Sequence, residues 1–103
     1  MTPKASFIIP AFNAEAFIAE TLESCLKQTE RKIEIVVVND GSTDSTPDVV
    51  AYYVAKDDRI RLINQKNAGR STARNVGISE AKADIILTQD ADDISYPERV
   101  SET

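Results

Sequence analysis

Ile85-Ile86-Leu87-Thr88-Gln89-Asp90-Ala91-Asp92-Asp93 joins an apolar run to three carboxylates within four residues. A short apolar run that stops at polar residues reads as a strand covered on both faces. Carboxylates at the carboxyl end of such a strand stand where open α/β sheets bind ligands. Three acids this close repel one another, and a hard divalent cation with oxygen ligands would relieve the repulsion. A solvated acidic loop is the plainer reading of the cluster taken alone, because exposed charges are screened. The rest of the chain has to choose between these two.

Working outward, the 103 residues suit one small domain. The fractions of hydrophobic (42%) and charged (28%) residues are those of an ordinary globular protein. A net charge of −5 argues against nucleic acid or an anionic membrane as the main partner. A phosphate ligand would therefore have to be met by local donors or by a metal. No apolar run approaches the length of a membrane span. Pro3, Lys4 and Ser6 lead straight into a strand without the pattern of a cleavable signal. The single cysteine, Cys25, fits a reducing cytoplasm, and the absence of histidine excludes Ser-His-Asp catalysis and histidine metal sites.

Going back to the start, Ser6-Phe7-Ile8-Ile9 reads as a first strand ended by Pro10, with Asn13 in position to cap the helix that follows. In that helix Ile18, Leu22, Cys25 and Leu26 share one face of a 3.6-residue period, which makes Cys25 a core residue rather than a nucleophile. Ile33 to Val38 holds the strongest strand signal, Ile35-Val36-Val37-Val38. The loop Asn39–Asp44 follows, and Thr46-Pro47 reads as an N-cap with proline at the first helical position. Val50, Tyr53 and Val54 line one face of that second helix. Ile60 to Ile63 reads as a third strand, Asn64 to Gly69 as a polar loop, and Ser71 to Ala81 as a third helix. Gly77 lowers helix propensity there, so it is expected to permit close packing on the sheet.

The order β-α-β-α-β-α-β, with right-handed crossovers, gives an α/β, Rossmann-like parallel sheet of about four strands with helices on both faces. Three βα loops, Pro10–Asn13, Asn39–Asp44 and Asp90–Asp93, must then emerge on one edge. Their convergence is the main argument for a binding site. With glycine only at 41, 69 and 77, neither G-x-G-x-x-G nor the P-loop pattern exists. An aspartate-held metal could instead bridge the phosphates of a nucleotide. Asp40 could accept hydrogen bonds from a base or ribose, Phe12 could lie against a base face, and Arg70 or Arg74 could reach a phosphate. Each residue also has a plain structural reading, as a turn aspartate, a core ring or a solvated helix face.

Taken in order, Ser6–Asn13, Val36–Asp44, Asn67–Ile78 and Asp90–Asp93 resemble the N-terminal half of family 2 glycosyltransferases, which have the GT-A fold. The resemblance runs from Ser6 to about Val100. It implies a nucleotide-sugar-binding half-domain spanning residues 1–103 that stops after the D-x-D motif. By that likeness Pro10 and Phe12 would flank the base, with Phe12 standing where the family usually has tyrosine. Asp40 would read the base, usually uracil. Asp90-Ala91-Asp92 would be the D-x-D motif, Asp90 touching ribose or sugar and Asp92 holding Mn2+ or Mg2+, with Asp93 a further contact and Arg70 or Arg74 near the diphosphate or sugar. The implied reaction is transfer of a sugar, with inversion, from a nucleotide-diphosphate sugar (UDP-sugar favoured) to a hydroxyl of an acceptor saccharide or lipid-linked glycan. The family's catalytic base lies in the C-terminal half, so none is assigned here. The parent is expected in the cytoplasm or peripheral at the membrane, and the fourth strand is expected to be an open edge that pairs in a homodimer.

Two other readings compete. A phosphoacceptor receiver domain also places aspartates at strand ends, but it needs a lysine directly after a late strand, and Lys66 and Lys82 are not so placed. A non-catalytic nucleotide-binding or self-associating module would keep the fold without turnover.

Overall fold

The computed structural model describes residues 2–102; Met1 and Thr103 lie outside the described residues. Four strands, β1 (Ala5–Ala11), β2 (Ile33–Asp40), β3 (Ile60–Gln65) and β4 (Ile85–Thr88), form one sheet in the order β3-β2-β1-β4. Every pairing is parallel. Helices α1 (Ile18–Leu26), α2 (Thr46–Lys56) and α3 (Arg70–Glu80) make the crossovers.

Side-chain alternation in the central strands builds two cores. Phe7 and Ile9 of β1 and Ile35 and Val37 of β2 meet Ile18, Leu22 and Cys25 of α1 and Val50 of α2 on one face. Ile8, Val36 and Val38 meet Ala73 of α3 on the other. Buried apolar residues at successive positions satisfy both faces at once, as the uninterrupted Ile35–Val38 run requires. The crossovers through α1 and α2 move away from β1 in one direction and α3 returns to its other side. This makes the gap between β1 and β4 the topological switch point of the sheet.

Several boundaries differ from the sequence reading, each for a local reason. β1 continues through Pro10 to Ala11, in register with Val38 and Asn39. The Ile8 carbonyl accepts from the Gln89 N–H on the β4 side. By alternation Pro10 faces that same side, where β4 has already ended, so its missing N–H costs no ladder bond. Asn39 and Asp40 belong to β2, and Asn64 and Gln65 to β3, because their side chains pair across the strands. Asn39 Nδ2 donates to Asn64 Oδ1 at 2.9 Å and Gln65 Nε2 to Asp40 Oδ1 at 2.9 Å. Asn13 does not cap α1, which begins five residues on at Ile18. Its φ is 49°, and its Oδ1 accepts from the Thr43 N–H at 2.8 Å, which ties the first βα loop to the second. Thr46 is the first residue of α2 rather than its N-cap, and the Asp44 carboxylate takes its N–H at 2.9 Å.

After β4 the chain turns back onto α1. Gln28 Oε1 accepts from the Val100 N–H and its Nε2 donates to the Tyr96 carbonyl, while Val100 is buried in the α1-side core. Among the described residues no helix is long and apolar enough to cross a membrane.

Candidate functional site

A cleft of about 520 Å³ opens at the carboxyl edge of the sheet, over the switch point. Pro10 to Ala14 and Phe17 form one wall, Asp40 its floor, and Asn67, Gly69, Arg70 and Asp90 to Asp92 the rest. The three βα loops predicted to converge do meet here. Pro10 and Phe12 follow β1, and the Phe12 ring stands half exposed at the rim.

Asp40 is buried at the end of β2. Its Oδ1 accepts from Gln65 Nε2 at 2.9 Å and from the Ala68 N–H at 2.8 Å, and its Oδ2 accepts from the Gly69 N–H at 3.1 Å. The Gln65 bond holds its pKa below the usual carboxylate value; burial opposes this, and the two backbone donors reinforce it. Three donors leave Oδ2 with acceptor capacity to spare. Asp40 thus does two things: it shapes the turn that starts α3, and it keeps an ionised oxygen at the cleft. Gly41, at φ 71°, lets the loop pass Asn67 closely; a Cβ there would lie 2.6 Å from the Asn67 nitrogen.

The turn that starts α3 delivers Arg70, whose Nη2 pairs with Asp90 Oδ1. Asp90, Asp92 and Asp93 each offer a carboxylate oxygen, all within 4.8 Å of one another. An all-oxygen, acidic donor set at partly exposed positions fits a hard divalent cation such as Mn2+ or Mg2+. Asp90 and Asp92 line the cleft, and Asp93 joins them through the carboxylate cluster. Arg74 is exposed one helical turn beyond Arg70 and is not among the residues lining the cleft.

The sequence reading assigned no role to Asn67, Gly69 or Phe17. Phe17 carried a signal, an aromatic residue just ahead of the apolar stripe of α1; it is 55% exposed at the cleft. Asn67, which donates to the Asp40 carbonyl at 3.0 Å, opened one of the segments that carry the family resemblance but was given no role of its own. Cys25 is confirmed as core: burial pushes its thiol up to about 11, so it remains protonated. A second recess, about 370 Å³, lies at the opposite edge of the sheet. Its buried acid, Glu34, is taken up by Ser6 Oγ, the Lys82 N–H and Arg61.

Residues 6–103 match Glycosyl transferase family 2, and the chain belongs to that family. It is 45% identical over 93 residues to the uncharacterized glycosyltransferase EpsJ of Bacillus subtilis, covering 90% of this chain and 27% of EpsJ. It is 43% identical over 96 residues to the uncharacterized glycosyltransferase YibD of Escherichia coli, covering 93% of this chain and 28% of YibD. Among solved structures, S. aureus TarS in complex with UDP-GlcNAc superposes with a TM-score of 0.88 at 34% identity, over 96% of this chain and 29% of that one. A mannosyltransferase from Pyrobaculum calidifontis, in complex with GDP-Man and Mn2+, superposes with a TM-score of 0.81 at 29% identity, over 89% of this chain and 28% of that one. The Rossmann-like sheet is therefore that of the glycosyltransferase neighbours. The chain spans a little over a quarter of the length of these relatives.

Proposed function

We propose that this chain supplies the donor site of a metal-dependent, inverting glycosyltransferase that moves a sugar from a nucleotide-diphosphate sugar to an acceptor hydroxyl. The observation that carries the reading is the meeting of Asp40, Arg70 and the Asp90–Asp93 carboxylates around one cleft at the switch point. The complexes of TarS with UDP-GlcNAc and of the mannosyltransferase with GDP-Man and Mn2+ support a nucleotide-sugar donor and a divalent ion; the UDP and UDP-GlcNAc complexes of TarS, the more similar of the two, favour a UDP-sugar.

Within this reading the residues divide the work. Pro10 and the half-exposed Phe12 ring give the base an apolar surface, and the free acceptor capacity of Asp40 takes an N–H from it. Arg70 exchanges its contact with Asp90 for the diphosphate, for which a guanidinium fork is well matched. Asp92, with Asp90 and Asp93 beside it, holds the cation. A divalent ion held by these carboxylates would supply positive charge to offset the negative charge that grows on the departing diphosphate. No residue of this cleft is assigned as the general base that deprotonates the acceptor.

The test is calorimetric titration of UDP into the chain, with Mn2+ and then with EDTA, on the native sequence and on Asp92→Ala. Binding that needs Mn2+ and disappears in the variant is the expected result. Binding that is indifferent to both EDTA and the substitution would overturn the proposal.

A further inference from the structure

The turn carrying the three carboxylates is held by three hydrogen bonds. The Asp93 N–H donates to the Asp90 carbonyl at 3.1 Å, closing the turn on itself. Gln89 Nε2 donates to the Asp93 carbonyl at 3.0 Å. Thr21 Oγ1, from the middle of α1, donates to the Ala91 carbonyl at 2.8 Å. Gln89 and Thr21 are both buried, and neither offers a polar atom to the cleft. The other end of the Gln89 amide is also committed: Oε1 accepts from Arg99 Nη1 at 2.8 Å and from Ser95 Oγ. Arg99 also donates to the Thr88 carbonyl at 3.2 Å and stacks over the Phe7 ring, so the amide is fixed to the last residue of β4 and to the core. A side chain so fully used inside the protein cannot be a ligand. Its effect is on where the neighbouring carboxylates stand.

We propose that Gln89 and Thr21 are positioning residues for the acidic turn: they set the spacing of Asp90, Asp92 and Asp93, and through it the affinity for the divalent ion. This rests on the donor-site reading above. Carboxylates on a mobile turn would have to be gathered against their mutual repulsion before a cation could bind. Partners behind the ligands remove that need, and their loss typically weakens metal affinity roughly 10- to 100-fold.

Two substitutions isolate the effect. Thr21→Val keeps the shape of the side chain and removes only the bond to the Ala91 carbonyl. Gln89→Glu keeps acceptors for Arg99 and Ser95 but loses the donor to the Asp93 carbonyl. Its added negative charge would by itself tighten cation binding, so a weakening reads the lost bond and not the charge. The measurement is calorimetric titration of MnCl2 into native chain, Thr21→Val, Gln89→Glu and Asp92→Ala, with far-UV circular dichroism confirming that each is folded at the working temperature. Expected are Mn2+ binding by the native chain, its loss in Asp92→Ala, and affinity lowered at least about tenfold in the two folded positioning variants. Native affinity in either folded variant removes that residue from the inference while leaving the metal site standing. Equal, negligible Mn2+ binding by all four chains would overturn both the metal site and its positioning.

Discussion

Asp40 is the residue at which stability and site meet. As a polar residue at the end of a strong strand it was legible as a site candidate. Its partners were not legible, because Gln65, Ala68 and Gly69 lie 25 to 29 residues away and join it only after β3 has paired with β2. Its carboxyl is held below its usual value in the fold, so it titrates lower there than in the unfolded chain. Its stabilising contribution is therefore fully present above the unfolded value and disappears as pH falls through the lowered folded one. Asp40→Asn places an amide donor among N–H donors. It is expected to lower stability by about 1–3 kcal/mol at pH 7, as for other lost hydrogen bonds to a charged group. Urea unfolding at pH 7 and at pH 3 checks the cause: the gap between native and variant should narrow in acid, and an equal gap at both pH values would mean that the charge plays no part. The carboxylates of Asp90–Asp93 were equally legible, but the Thr21 and Gln89 bonds behind them were not. Thr21 reads as one more small residue near the apolar stripe of α1, and its partner is a backbone carbonyl 70 positions away.

At the scale of the element, α3 shows what periodicity can and cannot reveal. Gly77 inside a helix implied close contact with the sheet, and the contact is there: a Cβ at 77 would lie 2.5 Å from Ile8 Cγ2 and 3.3 Å from Val38 Cγ2. Two effects oppose each other in Gly77→Ala. Helix propensity favours alanine by about 1 kcal/mol. Against it, Ile8 Cγ2 sits directly on a β-branched carbon in a fully buried strand residue and cannot swing aside, so the helix must lift from the sheet. Overpacking of this kind costs about 1–3 kcal/mol, and the variant is expected to be less stable than native in chemical denaturation. A more stable variant would show that α3 is free to move outward. The helix starts were less legible than the packing faces. Asn13, Asp44 and Thr46 all belong to cap and turn chemistry in the sequence, yet which donor each one meets is decided by the way the first two βα loops are bonded together.

For the whole molecule, the alternation of strands and helices fixed a parallel sheet, and the strand order β3-β2-β1-β4 explains why residues from four separated stretches share one cleft. That order leaves β4 at an edge, with Ile85, Ile86 and Leu87 only partly buried. Because the Gln89 N–H bonds to Ile8, alternation turns the backbone groups of Thr88 and Ile86 outward. Arg99 already takes the Thr88 carbonyl. Among the described residues, the open groups are then the Thr88 N–H and both groups of Ile86, a short template for pairing with a second copy of the chain. Self-association by this edge is accordingly expected to be concentration-dependent, with the mass from light scattering rising above that of a monomer between micromolar and millimolar protein. Thr88→Pro removes the outward N–H at an exposed position, costs no bond to β1, and should hold the chain monomeric over the same range. A native chain that stays monomeric throughout would mean that one short edge, already capped at Thr88 by Arg99, is too small to hold two copies together. Association that persists unchanged in Thr88→Pro would move the contact to another face, and the half-exposed Phe12 and Phe17 side chains at the carboxyl end of the sheet would be the next to substitute.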